Sequence, residues 1–548
     1  MTISPPVHRF VCLAIAAVAV SLAVGTTVSA QQAATYEVVS TFDVPSGVPT
    51  SVIQMRTGQF YGTTSGGPPR SPLDAGQTGT VFTMDATGAR TTVKIFQSQG
   101  VTRPSDGTPL AALFEGADGT LYGTTFSNFD SAYYPGQIFK ISPAGLFTTL
   151  VTVYELEAGV IQARDGRLYG TADGAMFDAA PHTWTYGYVY RIEANNTLTV
   201  LHRFIGTDGA NPVAELVEID DGSLYGTTRG GGVYEPGVGT SQAYGTIFRV
   251  DPATGAFATR YRFSGPDGSA PVGRLIQGTD GLIYGTTSGG GAFGFGTVFS
   301  LDAAGTLTTL HHFAGADGAN PDAGVIQGFD GRLYGTTRNR GAFGYGTVFV
   351  INVTGGLTTL HDFALSDGGN PVNELIQADD GAFYGAALSG GANSRGVVFR
   401  VRLGGSTPDQ FVEIVSRNSG KCLDVYGAST DAGAQAIQWT CHGGANQQWR
   451  LEPAGGGAYR IIARHSGQAL DVYGASLDDV APIIQWPVHG GDNQAWTLEP
   501  ASDGYVRIVA RHSGKAMDVE GASTGDGARV IQYTPHDGAN QQWLLRAR

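Results

Sequence analysis

Basic residues are scarce in this chain of 548 residues, and they never cluster. There are 33 Lys and Arg against 47 Asp and Glu, so the formal net charge is −14. Binding to nucleic acid requires a basic surface that neutralises phosphates. The composition therefore predicts a protein with no nucleic-acid partner.

Long apolar runs are also nearly missing. The one present, residues 10–24, follows His8 and Arg9 and precedes small residues that end at Ala30. This order predicts a cleaved secretory signal over residues 1–30, and hence a secreted or extracytoplasmic protein, periplasmic or extracellular. A retained anchor is the alternative, although about 15 apolar residues fall short of the roughly 20 that span a bilayer. A lipoprotein attached at Cys12 would need a small residue before that cysteine. We predict no transmembrane segment.

Cysteine is scarce too, with three residues, and no cysteine or carboxylate cluster accompanies the histidines in sequence. We therefore predict neither a metal site nor a cofactor. Glycine is abundant instead, with 82 residues and no collagen-like period, well above the usual share of about 7%. Frequent turns between short strands explain this excess.

One unit of about 50 residues recurs through most of the chain. Residues 275–313 show it as LIQGTDGLIYGTTSGGGAFGFGTVFSLDAAGTLTTLHHF. It contains four short strands, LIQ, LIYGTT, GTVFSL and LTTLHHF, separated by an Asp-Gly turn, a glycine-rich loop and a turn at Gly305. A four-stranded antiparallel unit repeated at this period is typical of a propeller blade.

Two independent counts predict seven blades. The second strand is marked by Tyr61, Tyr122, Tyr169, Tyr225, Tyr284, Tyr334 and Tyr384. The third strand starts at Val81, Ile138, Val189, Ile247, Val298, Val348 and Val398. The fourth strand occurs only six times after these, and a similar segment, YEVVSTF, stands at residues 36–42. We predict that this N-terminal segment completes the last blade and removes an open sheet edge.

The pattern LIQGxDGxLYGTT, followed by GTVF and LTTLHxF, resembles the GloVer-type tandem repeat of secreted bacterial proteins over about residues 36–403. The resemblance implies a propeller and an extracytoplasmic location, but no reaction. His202, His311 and His361 fall on fourth strands, and we interpret them as structural residues rather than bases or ligands.

Loops between the second and third strands are long and dissimilar in the first four units. Variable loops on a rigid ring are where a site would be built, and tolerated insertions are the alternative. They carry the candidate residues Phe129, Asp130, Tyr133, Tyr134, Asp178, His182, Trp184, Tyr186, Tyr234, Glu235 and Tyr244. The loops GTDGANP at Gly206 and GADGANP at Gly315 are typical turns, with calcium binding as an alternative.

After the linker GGSTPD at residues 404–409, a different repeat begins. Its three copies are in strict register, because Asp424, Asp471 and Asp518 are 47 residues apart. Three copies ending in Gln-x-Trp resemble the ricin-type β-trefoil lectin, also called carbohydrate-binding module family 13, over residues 410–548. The predicted fold class is therefore all-β, a seven-bladed β-propeller over residues 31–403 followed by a C-terminal β-trefoil.

Cysteines occur in only one copy of this repeat. The first copy has Cys422 and Cys441 where the others have Ala469 and Val488, and Ala516 and Pro535. Both are present or both absent, as expected of a bonded pair. A disulfide closing a loop of about 20 residues would contribute roughly 3 kcal/mol and requires an oxidising compartment.

The lectin resemblance implies a sugar site in each copy, with an aspartate accepting bonds from hydroxyls, an aromatic platform under the apolar face and three further polar partners. These residues are Asp424, Trp439, His442, Asn446 and Gln447; Asp471, Trp486, His489, Asn493 and Gln494; and Asp518, Tyr533, His536, Asn540 and Gln541. Vestigial turns are the alternative. Trp449, Trp496 and Trp543 are expected in the core.

One departure weakens any transfer of sugar preference. Ile437, Ile484 and Ile531 stand where the plant toxin's pattern has a glutamine. The adjacent Gln438, Gln485 and Gln532 are expected to point to the opposite face of the strand. A preference for galactose is therefore not transferred.

Two functions from different classes fit the sequence. The first is a secreted carbohydrate-binding protein, in which up to three trefoil sites act together on a glycan or polysaccharide and the propeller offers a second surface. The alternative is a polysaccharide-degrading enzyme, a lyase or glycoside hydrolase, with the trefoil as targeting module. Its candidate residues are His182, Tyr186, Tyr133, Asp130 and Glu235. An envelope-associated adhesion scaffold is a third reading, without an identifiable anchor.

Overall fold

The computed structural model describes residues 34–43, 47–66, 77–97, 108–126, 135–154, 156–173, 186–232, 244–328, 330–378, 380–403, 411–455, 458–501 and 505–547. The predicted signal segment and the linker at residues 404–409 lie outside these ranges. In the part that is described, no helix is both long and apolar enough to cross a membrane.

Residues 34–403 form seven antiparallel sheets, which are the blades of a β-propeller. Blade 1 consists of Val48–Gln54, Phe60–Ser65, Gln77–Met84 and Arg90–Gln97. Blade 2 consists of Phe114–Glu115, Leu121–Thr125, Pro135–Ile141 and Phe147–Tyr154. Blade 3 consists of Val160–Gln162, Leu168–Ala172, Tyr188–Ile192 and Leu198–Arg203.

The later blades are more regular. Blade 4 consists of Val217–Glu218, Leu224–Thr228, Thr246–Val250 and Phe257–Arg262. Blade 5 consists of Ile276–Gln277, Ile283–Thr287, Thr297–Leu301 and Leu307–His312. Blade 6 consists of Ile326–Gln327, Leu333–Thr337, Thr347–Ile351 and Leu357–Asp362. Blade 7 consists of Gly369–Pro371, Ile376–Gln377, Phe383–Ser389, Val397–Leu403 and the N-terminal strand Ala34–Thr41.

The first and last strands of the propeller close the ring, as the sequence predicts. Ala34–Thr41 pairs antiparallel with Val397–Leu403, with Tyr36 opposite Val401. The ring of Tyr36 stacks on His361 at 3.6 Å between centroids. Two segments more than 300 residues apart in sequence therefore share one sheet, in which Ala34–Thr41 covers the edge of Val397–Leu403.

The repeated YGTT and GTVF motifs have one packing explanation. The Phe299 ring of GTVF lies over Gly285 of YGTT, so a Cβ on that glycine would come within 2.6 Å of the ring. The hydroxyls of Thr287 and Thr297 form a buried hydrogen bond of 2.8 Å beside this contact. All seven blades place an aromatic ring against the corresponding glycine, which explains why the motif keeps a residue without a side chain inside a strand.

Hydrogen bonds from the LIQ motif join consecutive blades. Gln327 donates from Nε2 to the carbonyl of Gly331 in its own turn, at 2.9 Å, and accepts at Oε1 from the Thr279 amide of the preceding blade, also at 2.9 Å. The turn aspartate acts within its blade, where Asp330 accepts from the Tyr334 hydroxyl at 2.6 Å. The Asp-Gly turn therefore also anchors the tyrosine of YGTT.

The fourth-strand histidines have carboxylate partners that the sequence pattern did not indicate. His202 Nε2 lies 2.9 Å from Asp208, and His311 Nε2 lies 2.7 Å from Asp317. Each aspartate also accepts from a backbone amide through its other oxygen. We predicted no carboxylate cluster beside these histidines, and each of the two has a single aspartate partner, six residues away on the following loop. These are the GTDGANP and GADGANP loops, whose aspartates are engaged in structural bonds.

Residues 411–547 form the C-terminal domain, with four strands in each copy of the repeat. The first copy has Val412–Ser416, Cys422–Val425, Ala436–Trp439 and Trp449–Gly455. The second has Ala458–Ala463, Ala469–Val472, Ile483–Trp486 and Trp496–Pro500. The third has Val506–Ala510, Ala516–Val519, Val530–Tyr533 and Trp543–Ala547. Single 3₁₀ turns follow at Tyr426–Ala428, Ala445–Gln447, Tyr473–Ala475, Asp492–Gln494, Glu520–Ala522 and Ala539–Gln541.

The three Gln-x-Trp tryptophans form the centre of this domain. Trp449, Trp496 and Trp543 are fully buried in a single apolar cluster. Their indole nitrogens donate to the backbone carbonyls of Leu423, Leu470 and Met517, at 3.0 to 3.2 Å. The predicted burial of these residues is confirmed. Each carbonyl that accepts from an indole belongs to the residue directly before a site aspartate, so the indole bond fixes the strand that carries this aspartate.

Gly285→Ala should destabilise the propeller, because its Cβ would lie 2.6 Å from both Phe299 and Leu275. Overpacking of this kind costs about 1–3 kcal/mol. Calorimetry of the full chain should show a lower propeller transition. The trefoil transition should not move, and it can be followed by tryptophan fluorescence because five of the six tryptophans lie in that domain.

The matched control is the double variant Gly285→Ala with Phe299→Leu. Leucine frees the space that the new methyl needs, so the double variant should lose less stability than the sum of the single variants. Strictly additive losses would contradict the proposed contact.

Candidate functional site

A short hairpin places the site residues of the first copy. Cys422–Val425 pairs antiparallel with Ala436–Trp439, with Cys422 opposite Trp439 and Asp424 opposite Ile437. Directly paired residues share one face of a sheet, so Asp424 and Trp439 are diagonal neighbours on the same face. Leu423 and Val425 point into the core on the other face. The alternation of the strand therefore puts a carboxylate beside an aromatic ring.

Three side chains converge on the Asp424 carboxylate. Asn446 Nδ2 donates to Oδ1 at 2.9 Å, and Gln447 Nε2 donates to Oδ2 at 2.8 Å. His442 Nε2 lies 3.4 Å from Oδ2. The Gly444 amide donates to His442 Nδ1 at 3.1 Å, so in the neutral ring the hydrogen is on Nε2 and faces the carboxylate.

The other two copies repeat this arrangement. Asp471 accepts from Asn493 and Gln494, both at 2.9 Å, and lies 3.0 Å from His489 Nε2. Asp518 accepts from Asn540 at 2.9 and 3.0 Å and from Gln541 at 2.8 Å, with His536 at 3.3 Å. The structure thus brings together all the predicted polar residues of each copy.

The glutamines of these clusters are positioned behind the carboxylates. Gln447 is fully buried. Its amide nitrogen donates to Asp424 and to the Thr440 carbonyl, and its oxygen accepts from the His442 amide at 2.8 Å. Each polar atom of this amide is therefore engaged within the protein. Gln494 and Gln541 make the same three kinds of bond, so the geometry gives these glutamines a positioning role rather than a ligand contact.

The platform aromatics are half-exposed, as a ligand contact requires. Trp439 and Trp486 are each 40% exposed and Tyr533 is 38% exposed. The adjacent Gln438 is instead fully buried and donates to the carbonyls of Ser523 and Gly525 at 2.8 and 2.9 Å. The prediction that this glutamine points away from the platform is confirmed.

Each platform lies against a loop from another copy. A Cβ built on Gly527 would lie 3.7 Å from the Trp439 ring, and one on Gly433 would lie 3.7 Å from the Trp486 ring. The equivalent residue for the third site is Val480, whose amide donates to the Gln532 carbonyl as Gly527 does to Gln438. All three have positive φ, +81°, +90° and +70°. Two sites thus combine Trp with Gly, and the third combines Tyr with Val.

The sites also differ in a group of three residues beside the platform, which we call the rim: a threonine, a lysine and an aspartate from another copy. In the first site, Asp526 of the third copy accepts from the Thr440 amide at 2.6 Å and pairs with Lys421 at 2.8 Å. In the third site, Asp479 accepts from the Thr534 amide and pairs with Lys515, both at 2.7 Å. The second site has Pro487, Ala432 and Gln468 at these three positions. Proline has no amide hydrogen, so an aspartate at this position would lack its donor. In the second site the aspartate and its lysine partner are indeed both replaced. Our sequence predictions did not include these residues, although the differences among the three copies at these positions indicate them.

Burial shifts the titration of two site carboxyls. Desolvation raises the pKa of Asp424, and hydrogen bonds from Gln447 and Asn446 oppose this in part. Desolvation likewise raises the pKa of Asp518 against bonds from Gln541 and Asn540. On the rims the direction is reversed, because the Lys421 ammonium lowers the pKa of Asp526 and the Lys515 ammonium lowers that of Asp479.

The predicted disulfide is present between Cys422 and Cys441, with their Cα atoms 5.1 Å apart. It connects the strand of Asp424 to the segment that follows the Trp439 platform. One group within the described ranges brings three possible metal-binding side chains together, Glu413 with these two cysteines. Both sulfurs are bonded to each other, and Glu413 pairs with Arg546, which does not fit a metal site.

Most candidate residues of the propeller lie outside the described residues. These are Phe129, Asp130, Tyr133, Tyr134, Asp178, His182, Trp184, Tyr234 and Glu235. The two that are described, Tyr186 and Tyr244, place their rings about 3 Å from where a Cβ would stand on Gly206 and Gly265. In these two positions the aromatic ring covers a glycine turn. A catalytic propeller stays a prediction.

Comparisons with known proteins match two family models to this chain. Residues 237–447 match a family model described as the Gloeobacter/Verrucomicrobia repeat. Residues 410–543 match the model of the ricin-type beta-trefoil lectin domain. The first match runs past the last propeller strand into the first trefoil copy, so the two matches overlap over residues 410–447.

Similar solved structures include the designed three-fold symmetric protein ThreeFoil, with 56% identity over 26% of this chain and 100% of that chain, at a TM-score of 0.25. A ricin B-like lectin from Macrolepiota procera, in complex with lactose, has 22% identity over 26% of this chain and 100% of that chain, at 0.23. An exo-beta-1,3-galactanase from Clostridium thermocellum has 22% identity over 85% and 98%, at 0.29. All three TM-scores lie below 0.5, so the domain assignment rests on the family models and on the geometry.

Val480→Gly should stabilise the trefoil. A β-branched residue at φ +70° is strained by about 1–3 kcal/mol, and glycine would relieve this at an entropic cost of about 0.5–1 kcal/mol. We expect a net gain of about 1 kcal/mol in unfolding free energy, measured by tryptophan fluorescence during denaturation. Val488→Gly is the control, because Val488 is exposed in the same copy without a positive φ. An equal effect of both substitutions would contradict the strain.

Proposed function

Because the chain joins a Gloeobacter/Verrucomicrobia repeat propeller to a ricin-type β-trefoil lectin domain, we propose that it is a secreted carbohydrate-binding protein. The trefoil binds glycans through up to three sites, and the propeller gives a second interaction surface. One observation carries the proposal: three equivalent hairpins each present a carboxylate, held by Asn, Gln and His, beside a half-exposed aromatic ring. Packing alone does not require that combination three times.

The first site combines an acceptor for a sugar hydroxyl with an apolar surface for the sugar ring. A carboxylate offers about four acceptor positions, and Asn446, Gln447 and His442 face Asp424 at three of them. About one position remains for a sugar hydroxyl. Trp439 supplies the apolar surface that covers the C–H face of the sugar ring. The Gln447 bonds fix the carboxylate in advance, so that binding orders few side chains.

The disulfide supports a location outside the cytoplasm, since such bonds persist in oxidising compartments. The predicted signal segment over residues 1–30 supports the same location. Three weak sites on one rigid domain can act together on a polymer, which raises the overall affinity well above that of one site. A polysaccharide surface with many equivalent sugars is the partner that this arrangement suits best.

Alanine at the three site aspartates, Asp424, Asp471 and Asp518, should abolish retention of the full chain on polysaccharide columns. Asp424→Ala alone should weaken it, because two sites remain and multivalency falls. Truncation also leaves Asn446 and Gln447 without their buried acceptor, so tryptophan fluorescence should first confirm that each variant is folded.

The control is Glu499→Gln, which removes one exposed charge from another hairpin of the same domain. It should be retained as the parent protein is. If the folded triple variant is also retained unchanged, the three aspartates do not form the sugar sites.

Acidification should weaken binding at a higher pH than an ordinary aspartate would allow. Protonation removes the acceptor, and burial raises the pKa of Asp424 and Asp518 above its usual value. Binding at these two sites is therefore complete above this raised pKa and lost as the pH falls through it. Titration calorimetry across the acidic range should show the loss.

Unfolding is not the expected cause of that loss. The folded pKa of these two carboxyls exceeds the unfolded value, so their own contribution to stability rises as the pH falls through this window. Fluorescence of the same samples should report a folded trefoil. Affinity that stays constant down to the usual aspartate range would contradict a role for these carboxylates.

A further inference from the structure

Two tyrosines outside the predicted sites stand exposed next to the site carboxylates. Tyr426 is 64% exposed and Tyr473 is 59% exposed. They occupy equivalent positions in the first and second copies, at the start of the turns Tyr426–Ala428 and Tyr473–Ala475. Most large aromatic side chains of this domain are buried or half-buried, which makes this repeated exposure a feature to explain.

Strand geometry places Tyr426 on the face that carries Asp424. The Tyr426 amide donates to the Gln435 carbonyl at 3.0 Å, which continues the ladder one step beyond the last paired residue, Val425. Residues two apart in a strand project to the same side. Trp439 is paired with Cys422, two residues before Asp424. The carboxylate therefore lies between two aromatic side chains.

The span between these aromatics exceeds one sugar ring. Cys422 and Tyr426 are four residues apart, which at about 3.3 Å per residue is roughly 13 Å. A single pyranose over Trp439 that reaches Asp424 would leave Tyr426 uncovered. A second linked sugar, continuing past the carboxylate, would cover it.

The backbone under each tyrosine is fixed, although its ring is exposed. The Ser429 amide donates to the Tyr426 carbonyl and the Ser476 amide to the Tyr473 carbonyl, both at 3.3 Å. The following glycines, Gly427 and Gly474, have φ of +62° and +64°. Tyrosine on a rigid backbone gives a large contact area at low entropic cost, which suits a binding surface.

The third copy differs at this same position. It has Glu520, and Arg529 donates to both oxygens of that carboxylate at 2.8 Å. A bidentate pair of this kind holds the side chain in place and offers no apolar face. The third site therefore has the Tyr533 platform but no second aromatic.

We propose that the first and second trefoil sites each have a second saccharide subsite over Tyr426 and Tyr473, and so bind chains of at least two linked sugars, whereas the third site binds a single sugar unit. The inference rests on the proposed sugar-binding function and adds a preference for chain length. The two kinds of site on one domain would bind internal segments and chain ends of the same polymer.

The test is titration calorimetry of the full chain with galactose, lactose and β-1,3-galactotetraose, and in parallel with xylose, xylobiose and xylotetraose. In the series that binds, the parent protein should prefer the longer sugars. In the Tyr426→Ala/Tyr473→Ala variant, affinity for the di- and tetrasaccharide should fall about five- to tenfold, the loss expected for one aromatic contact. Affinity for the monosaccharide should stay within twofold.

Two further variants separate a subsite from a general structural role. Tyr426→Phe/Tyr473→Phe keeps the rings and should keep the preference for length. Glu520→Tyr should add affinity for the longer sugars at the third site, raising the number of chain-length-selective sites from two to three. An equal loss for short and long sugars in the alanine variant, or none, would overturn the subsite while leaving sugar binding intact. Absence of heat with all six probes, in a parent protein that is also not retained on any polysaccharide column, would overturn both proposals.

Discussion

The hydrogen bond from Gln447 to Asp424, 2.8 Å long and buried, connects the core of the trefoil to its surface. Gln447 belongs to the Gln-x-Trp motif and lies two residues before Trp449, which is fully buried and bonded to the Leu423 carbonyl. The same short segment therefore sets both the position of the core indole and that of the carboxylate. Because this linkage recurs in every copy, a change in core packing moves the candidate sites with it.

In the propeller, a few repeated contacts hold the strands of a blade together and join neighbouring blades. An aromatic ring from one strand covers a glycine of the neighbouring strand. The side-chain amide of Gln327 joins two blades by hydrogen bonds to backbone atoms of each. These contacts use few side chains, all close to the strands. The loops that emerge beyond them can therefore vary in length and composition without loss of the ring, as the first four blades show.

Periodicity made most of the fold predictable. Local patterns such as YGTT and GTVF, counted along the chain, gave the number of blades and the strand at residues 36–42 that closes the ring. In the trefoil, the lectin resemblance implied the polar residues that converge on the aspartate of one copy, and the strict register placed their equivalents in the other two. Each of these predictions depended on residues that recur at fixed spacing, because a repeated sequence places equivalent atoms in equivalent surroundings.

Contacts between copies were harder to predict, because they join positions that no single repeat shows together. The bond from the Thr440 amide to Asp526 crosses from the first copy to the third, and the bond from the Thr534 amide to Asp479 crosses from the third copy to the second. A residue that positions a ligand-binding group can also have the same type as one that contacts the ligand. Gln447 has the residue type of a sugar ligand, but its three bonds are all internal, which a sequence does not reveal.

The junctions explain why three similar sites are not identical. Each platform rests on a loop from a different copy, so a substitution in one repeat alters the site of another. In the second site Pro487 replaces the threonine and removes its amide donor. Ala432 stands there in place of the aspartate acceptor, and Gln468 in place of the lysine that pairs with it. Val480 beside Tyr533 shows the same dependence in the third site. Substitutions at the contacts between neighbouring copies therefore change the sites. Through such contacts, a domain built from three similar repeats has sites of different shape.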